Sequence, residues 1–209
     1  MRGSRNTVGK VLTRSQALRA VLTHAGPHCH LVSGLGYMSR DLFALAHRRG
    51  RICFYSLGAM GSVVPFCLGL SLGAPWTGIV GIEGDGSLLM NLGSLSSLAR
   101  YGSSRLAIVI LDNRCYESTG GQPSQPAGMS LERVARTCSV PASVAESVSD
   151  IAAFFHGQRR ARGARLLVVR TALGPAAARV SPLPRAIAQA FKASILQKSH
   201  DAFEKRREK

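Results

Sequence analysis

Apolar residues fall along this chain in short blocks of two kinds, and the kinds alternate. Thr77-Gly78-Ile79-Val80-Gly81-Ile82 and Leu106-Ala107-Ile108-Val109-Ile110-Leu111 are near-continuous apolar runs, the pattern of strands buried on both faces. Between them, Leu88, Leu89, Leu92, Leu95, Leu98 and Ala99 recur at helical spacing. Upstream, Cys29–Ser33 reads as a strand ending at Gly34-Leu35-Gly36, followed by a helix from about Ser39 to Arg48 and the strand Ile52–Tyr55. A turn at Gly58–Gly61 then leads into a small-residue helix to about Leu72. Downstream, Ser147-Val148-Ser149-Asp150 has capping-box spacing and opens a helix toward Arg160, and Leu166–Val169 is a last strand. Repeated strand–helix alternation predicts an α/β fold: a doubly wound, mainly parallel sheet with helices on both faces.

The two ends differ from this pattern. Residues 1–12 carry Arg2, Arg5 and Lys10 and no acid, and the first acidic residue of the chain is Asp41. A flexible extension, a targeting remnant and an artificial leader all stay open for them. Thr13-Arg14-Ser15-Gln16 has capping-box spacing and opens an amphipathic stretch, Ala17-Leu18 and Val21-Leu22, so one folded domain is expected over residues 13–180. Residues 181–209 form a basic C-terminal segment. Beyond Pro182 and Pro184, residues 185–205 predict an amphipathic helix with Ile187, Phe191, Ile195 and Ala202 on or near one face and Phe203 at its margin. Docking on the domain or on a partner is the expectation for it. Residues 113–129 are a Gly/Pro/Ser-rich loop, long enough in a compact domain to suggest a functional segment.

Composition narrows the class. A chain of 209 residues with 45% hydrophobic residues can bury a core as one domain. No apolar run reaches the length of a membrane span, so no membrane is expected. Cys29, Cys53, Cys67, Cys115 and Cys138 are odd in number, lack paired spacing and lie mostly in apolar runs, which points to buried reduced thiols in the cytoplasm. The net charge of +16 invites a nucleic-acid reading. The basic residues, however, are dispersed in pairs such as Arg48-Arg49 and Arg159-Arg160 without interleaved aromatics, and arginine far outnumbers lysine, as a GC-rich genome would give. The expectation is therefore no nucleic acid, and an anionic cofactor, an anionic substrate and an acidic partner account for the sign.

Two groups of residues imitate sites. His24, His28, Cys29 and His30 look like metal ligands, but alternation along a strand would split His28 and His30 from Cys29. Gly34-Leu35-Gly36 and Gly58-Ala59-Met60-Gly61 do not complete the nicotinamide fingerprint Gly-x-Gly-x-x-Gly.

The chemistry concentrates at Gly84-Asp85-Gly86 and Asp112-Asn113. Asp85 and Asn113 would each sit just past the carboxyl end of a buried strand, the edge where open parallel sheets bind ligands. Glycines on both sides of Asp85 let backbone N–H groups approach phosphate oxygens at the start of the next helix. A carboxylate and a second oxygen ligand one strand–helix–strand step apart is a way to hold Mg²⁺ on a diphosphate.

At these residues the sequence resembles the thiamine-diphosphate enzymes, whose metal signature is Gly-Asp-Gly, a spacer and Asn-Asn. The longer segments Gly84–Leu95 and Leu111–Pro123 resemble the phosphonopyruvate and sulfopyruvate decarboxylases, and Leu57–Gly61 resembles the same family's Gly-Ser-Met-Gly turn. The resemblance implies the diphosphate-binding domain of that fold, with thiamine diphosphate and Mg²⁺ as cofactors. It implies metal binding by the Asp85 and Asn113 side chains and the backbone carbonyl of Cys115. For the cofactor it implies Gly58, Met60, Gly84, Asp85, Gly86, Ser87, Asn113 and Tyr116, with Met60 propping the bent cofactor and the Gly58 carbonyl accepting from its amino group. Asp112 departs from the short signature, whose first position is asparagine, but the second position is the ligand. The roles of Arg114 and Glu117 stay open.

The family reaction implied is decarboxylation of an anionic 2-oxo acid, 3-phosphonopyruvate or sulfopyruvate, to the aldehyde and CO₂. Family members place a pyrimidine-activating glutamate on a second domain, for which 209 residues leave no room. Glu83 is no substitute, since it precedes the metal turn at the wrong end of the cofactor. The resemblance thus implies a partner subunit carrying the pyrimidine-binding domain, in an α₂β₂-type or larger assembly. A non-catalytic or regulatory cofactor-binding module and a subunit of another such enzyme, for instance a carboligase, are the competing readings. The β subunit of a 2-oxoacid oxidoreductase would carry clustered cysteines, and these five are scattered.

Overall fold

The apolar runs pair side by side, all in one direction. The computed structural model describes the backbone of residues 11–207 and the side chains of residues 11–197. Residues 1–10, and the face expected from Ala202 and Phe203, lie outside what it describes.

The chain opens with β1 (Leu12–Thr13), α1 (Arg14–His24), β2 (His30–Ser33), α2 (Tyr37–His47) and β3 (Cys53–Tyr55). There follow α3 (Val63–Gly73), β4 (Ile79–Gly84), α4 (Asp85–Leu89), α5 (Ser94–Tyr101) and β5 (Leu106–Asp112). A short hairpin, β6 (Cys115–Tyr116) and β7 (Gln122–Pro123), encloses a 3₁₀ turn at Glu117–Thr119. The last elements are α6 (Leu131–Thr137), β8 (Ala142–Ala145), α7 (Val148–Gln158), β9 (Arg165–Ala172) and α8 (Pro184–Arg207).

The main sheet runs β3-β2-β4-β5-β9, with β1 and β8 both paired to β9, and every pairing in it is parallel. From β2 the chain steps outward to β3; from β4 it steps the other way, to β5 and β9. The order therefore reverses between β2 and β4, and the crevice at such a reversal is the ligand site of open α/β sheets. The doubly wound expectation matches this architecture.

Strand alternation sorts the core onto two faces. Val80, Ile82, Val109 and Leu167 pack with α1, α2 and α7, while Ile79, Ile108, Ile110 and Val168 pack with α3, α5 and α6. Helix α3 lies close enough on β4 that a Cβ at Gly81 would come within 2.8 Å of Cys67 Sγ and 2.9 Å of Val63 Cγ1. Helix α8 buries Ile187 in one cluster and Phe191 in the other, and it contacts β3, so it covers the sheet's β3 edge.

The structure departs from the sequence pattern in four places. The helix expected across Leu88–Ala99 is two helices, because Asn91 leaves the helix to donate to the Gly61 carbonyl at 2.9 Å and Gly93 does not resist the break. A strand that the pattern does not signal, β1, precedes α1, with Leu12 paired to Thr171. The 113–129 loop contains the β6–β7 hairpin. Helix α6 and strand β8 have no periodic signature, being short and half exposed.

Both capping boxes form. Thr13 Oγ1 accepts from the Gln16 amide, and Gln16 Oε1 accepts from the Thr13 amide at 2.9 Å. At α7 the Ser147 hydroxyl accepts from the Asp150 amide, and Asp150 Oδ2 accepts from the Ser147 amide at 2.9 Å and the Glu146 amide at 3.0 Å. The Ser147 hydroxyl, then the Glu146 amide, hold the Asp150 carboxyl below its usual range. A depressed carboxyl contributes stability that is present above the unfolded value and is lost as pH falls through the folded one. We therefore expect Ser147→Ala to cost about 1 kcal/mol in urea unfolding at neutral pH. Asp150→Asn should weaken the fold at neutral pH, with the difference from the parent chain closing as pH drops below 3.8, the ordinary value for the group.

Candidate functional site

The register of β4 on β5 pairs Gly84 with Leu111, so Asp85 and Asp112 leave adjacent strand ends and Asn113 follows one residue on. Met60, Asp85, Asn113, Cys115 and Tyr116 line one cleft at that edge, together with Gly84, Gly86 and Ser87. Each of these eight is a residue singled out from the sequence. Gly58 is the exception: it shapes the turn at φ +91° but is not among the residues lining the cleft.

Asp85 is 3% exposed, and its Oδ2 accepts from the Ser124 hydroxyl at 2.5 Å. Burial pushes its carboxyl up; the Ser124 hydroxyl opposes this, and the charge of Asp112 adds to it. Asp112 has another task. Its carboxylate is ion-paired with Arg170 and accepts from Gln125 Nε2 at 2.9 Å and the Arg114 amide at 3.1 Å. Aspartate suits the first motif position here because a cation faces it. Arg114 adopts φ 62° and donates from its exposed guanidinium to the Met129 carbonyl.

The Asn113 amide is gripped at both ends. Its Nδ2 donates to Glu117 Oε2 at 3.0 Å, and its Oδ1 accepts from the Cys115 amide at 3.1 Å. Cys115 pairs across the hairpin with Pro123, which has no N–H to offer the Cys115 carbonyl. Burial pushes the Cys115 thiol up, with the Glu117 and Asp85 charges adding to it, so the side chain stays a neutral thiol. The Tyr116 ring lies against Gly86, where an added Cβ would sit 2.3 Å from Cε1.

Behind the cleft, a buried acid ties the Met60 turn to the Asp85 loop. Glu83 is fully buried; the Ser87 hydroxyl donates to its Oε1 at 2.7 Å and accepts from the Gly61 amide at 2.9 Å. Burial pushes the Glu83 carboxyl up, opposed by the Ser87 hydroxyl and by the Val63 and Gly61 amides. Ser87 thus spends its hydroxyl inward. Gly61 turns at φ +76° with Asn91 Cβ where a side chain would stand, so only glycine closes this turn.

Sequence reading did not find Arg14, Ser124 or the part played by Glu117. Arg14, 6% exposed, pairs with Asp41 Oδ2 at 2.8 Å and Glu117 Oε2 at 2.5 Å, and donates to the Gly174 and Pro175 carbonyls. These partners are far apart in sequence, and no local pattern marks such a network. The capping box at Thr13 located the helix but said nothing about the arginine inside it.

The donor set suits a hard divalent cation, since the residues that carry the carboxylate, amide and carbonyl oxygens line one cleft. The charges agree: Asp41, Asp85, Asp112 and Glu117 stand against Arg14 and Arg170, leaving negative charge to balance. Gly84 fits as well, for a Cβ there would meet nothing within 4 Å, whereas Gly86 is covered by the Tyr116 ring. The cleft encloses only about 130 Å³, whereas a cofactor-sized molecule is usually enclosed by roughly 300–1,000 Å³. A wider cleft of about 710 Å³ behind Asn113 contains Arg170 and Glu146 but neither Asp85 nor its glycines. Among the described residues, the cleft included, no three His, Cys, Asp or Glu side chains converge as metal ligands. His30 lies in the sheet with Nδ1 2.9 Å from Thr77 Oγ1.

Comparison with known proteins bears on the family and the fold. The chain is 31% identical over 159 residues to sulfopyruvate decarboxylase subunit beta of Methanocaldococcus jannaschii, covering 76% of this chain and 83% of that one. It is 40% identical over 126 residues to phosphonopyruvate decarboxylase of Streptomyces hygroscopicus, 60% of this chain and only 31% of that longer protein. The fold superimposes on the thiamine diphosphate-dependent 4-hydroxybenzoylformate decarboxylase of Rhodococcus jostii RHA1 with a TM-score of 0.66 at 21% identity, covering 83% of this chain and 35% of that one. Residues 34–201 match the family described as thiamine pyrophosphate enzyme, C-terminal TPP binding domain, and the chain belongs to that family.

Proposed function

We propose that this chain is the thiamine diphosphate- and Mg²⁺-binding subunit of a decarboxylase acting on 3-phosphonopyruvate or sulfopyruvate, working with a partner subunit that carries the pyrimidine-binding domain. The observation that carries this is the match to a separate β subunit over 83% of its length, with a cleft that holds the diphosphate-end residues and is too small to enclose a cofactor. The larger phosphonopyruvate decarboxylases are covered over 31% of their length. An α₂β₂-type assembly is the simplest that places such a site between subunits. A cytoplasmic location fits five cysteines that form no disulfide, with burial pushing Cys53 to about 11 and Cys67 well up. Among the described residues, no helix is long and apolar enough to cross a membrane.

In this reading Asp85, Asn113 Oδ1 and the Cys115 carbonyl hold Mg²⁺. Gly84, Gly86 and the Ser87 backbone receive the diphosphate, with Tyr116 walling that end. Met60 props the cofactor, with the Gly58 carbonyl behind it. When bound, the cofactor supplies a nucleophilic carbon for the 2-oxo group and a sink for the electron pair released with CO₂. The protein fixes the geometry: the Glu83–Ser87–Gly61 hydrogen bonds lock the Met60 turn to the Asp85 loop. Arg14 does not recognise the substrate anion, because Asp41, Glu117 and two carbonyls already occupy its guanidinium.

Two measurements test the reading. Asp85→Ala removes the anionic ligand, so calorimetric affinity for Mg²⁺–thiamine diphosphate should collapse while circular dichroism stays that of the parent. Asn113→Ala should lose less, since a neutral ligand goes. Wild-type affinity in Asp85→Ala would remove the metal assignment. In an aldehyde-release assay over a panel of 2-oxo acids, the chain plus its partner should turn over the phosphonate or sulfonate substrate. The chain alone should be slower by about 10²–10⁴, the cost of a missing acid–base group. Full activity from the chain alone would refute the half-site reading. Cofactor binding without turnover in any combination would favour a non-catalytic module.

A further inference from the structure

Glu117 has three donors on its two oxygens. Arg14 and Asn113 Nδ2 share Oε2 at 2.5 and 3.0 Å, and the Gly174 amide donates to Oε1 at 2.7 Å. A group receiving donors on both oxygens in this way acts as an acceptor only. It therefore dictates which end of the Asn113 amide faces it: the NH₂ must. The Cys115 amide dictates the same orientation from the other end, because it needs the oxygen. A flipped amide would set oxygen against carboxylate and NH₂ against N–H. Glu117 is itself immobilised. Arg14 is held by Asp41 and by the Gly174 and Pro175 carbonyls, and Asp41 Oδ1 accepts from the Ala177 amide at 2.8 Å.

We propose that Glu117 is a positioning residue for the metal site: it pins the Asn113 NH₂ so that the amide presents its oxygen, never its nitrogen, to the cation. The inference rests on the reading of Asn113 as a metal ligand. Through Arg14 it extends the support of that ligand to α1, α2 and the segment after β9, elements remote from the cleft in sequence. Partners that orient a ligand from behind typically contribute 10–100-fold in metal affinity.

Glutamine at position 117 offers one oxygen and one NH₂, so it cannot accept from Arg14, Gly174 and Asn113 together. Calorimetry of the full chain with thiamine diphosphate in excess Mg²⁺, and with Mn²⁺ followed by electron paramagnetic resonance, should show Glu117→Gln weakened about 10–100-fold. The discriminating variant is Asn113→Asp. Its side chain has an oxygen at both ends, so no wrong orientation exists, and the glutamine NH₂ can donate to it. Adding Glu117→Gln to Asn113→Asp should therefore cost nothing or restore affinity. An equal loss in both backgrounds, or no loss in Glu117→Gln alone, would overturn the inference. So would unfolding of both chains that carry Glu117→Gln, which would assign Glu117 to the Arg14 network alone. If the parent chain binds neither probe, the metal-site reading itself fails, a result distinct from any of these.

Discussion

The register of β4 on β5 pairs Ile79 to Gly84 with Leu106 to Leu111, and both strands are covered on both faces. A slip by one residue would turn Val80, Ile82 and Val109 toward the wrong helices and close the space beneath α3 that Gly81 leaves. Two separate cores therefore enforce one register. Because the register is fixed, the two strand ends are level, and Asp85 and Asn113 emerge side by side at the point where strand order reverses. The site is a consequence of apolar packing several residues away. The loops that complete it, the Met60 turn and the β6–β7 hairpin, are then fastened to this edge by hydrogen bonds from Ser87, Asn91 and Ser124.

Buried carboxylates at that edge need compensation, since an unpaired buried charge is costly. Asp112 has Arg170, and Asp41 and Glu117 share Arg14. Guanidinium suits these places because its planar fork serves several acceptors at once. Asp85 is treated differently. Among the described residues no ion pair reaches it, and a neutral hydroxyl is what it receives. Asp85 is thus the carboxylate of the cleft that no arginine faces, while the three paired carboxylates, Asp41, Asp112 and Glu117, support the walls. A cation placed there would meet an anion that the fold has left uncompensated.

The sheet was legible because its strands are buried on both faces and so appear as unbroken apolar runs, and because Thr13 and Ser147 carry complete capping boxes. The Gly84–Gly86 and Asn113 motifs were legible because their residues lie next to strand ends in sequence. The helix break at Asn91 was not, since its cause is a carbonyl at Gly61, which is remote in sequence. Helix α6 and β8 escaped because short, half-exposed elements show no period. Arg14 and Glu117 escaped for a deeper reason: the contact spans the chain from first helix to hairpin, and charged residues in a basic sequence look alike until the fold selects the buried one.

Leu57 and Met90 are more than half exposed and Met60 is 36% exposed, all on the two segments that the Asn91–Gly61 hydrogen bond holds together. Exposed apolar side chains grouped beside a polar cleft mark a surface that another surface covers. Met60 itself lines the cleft, so this exposed grouping borders it. Rigid fastening of the Met60 turn through Glu83 and Ser87 then has a purpose beyond the fold of this chain. In the proposed reading this turn belongs to a wall shared between two subunits, and keeping its shape before they meet spares their association the cost of ordering it. The buried acid under the turn and the guanidinium behind the Asn113 loop both serve that preorganisation, one from each side of the cleft.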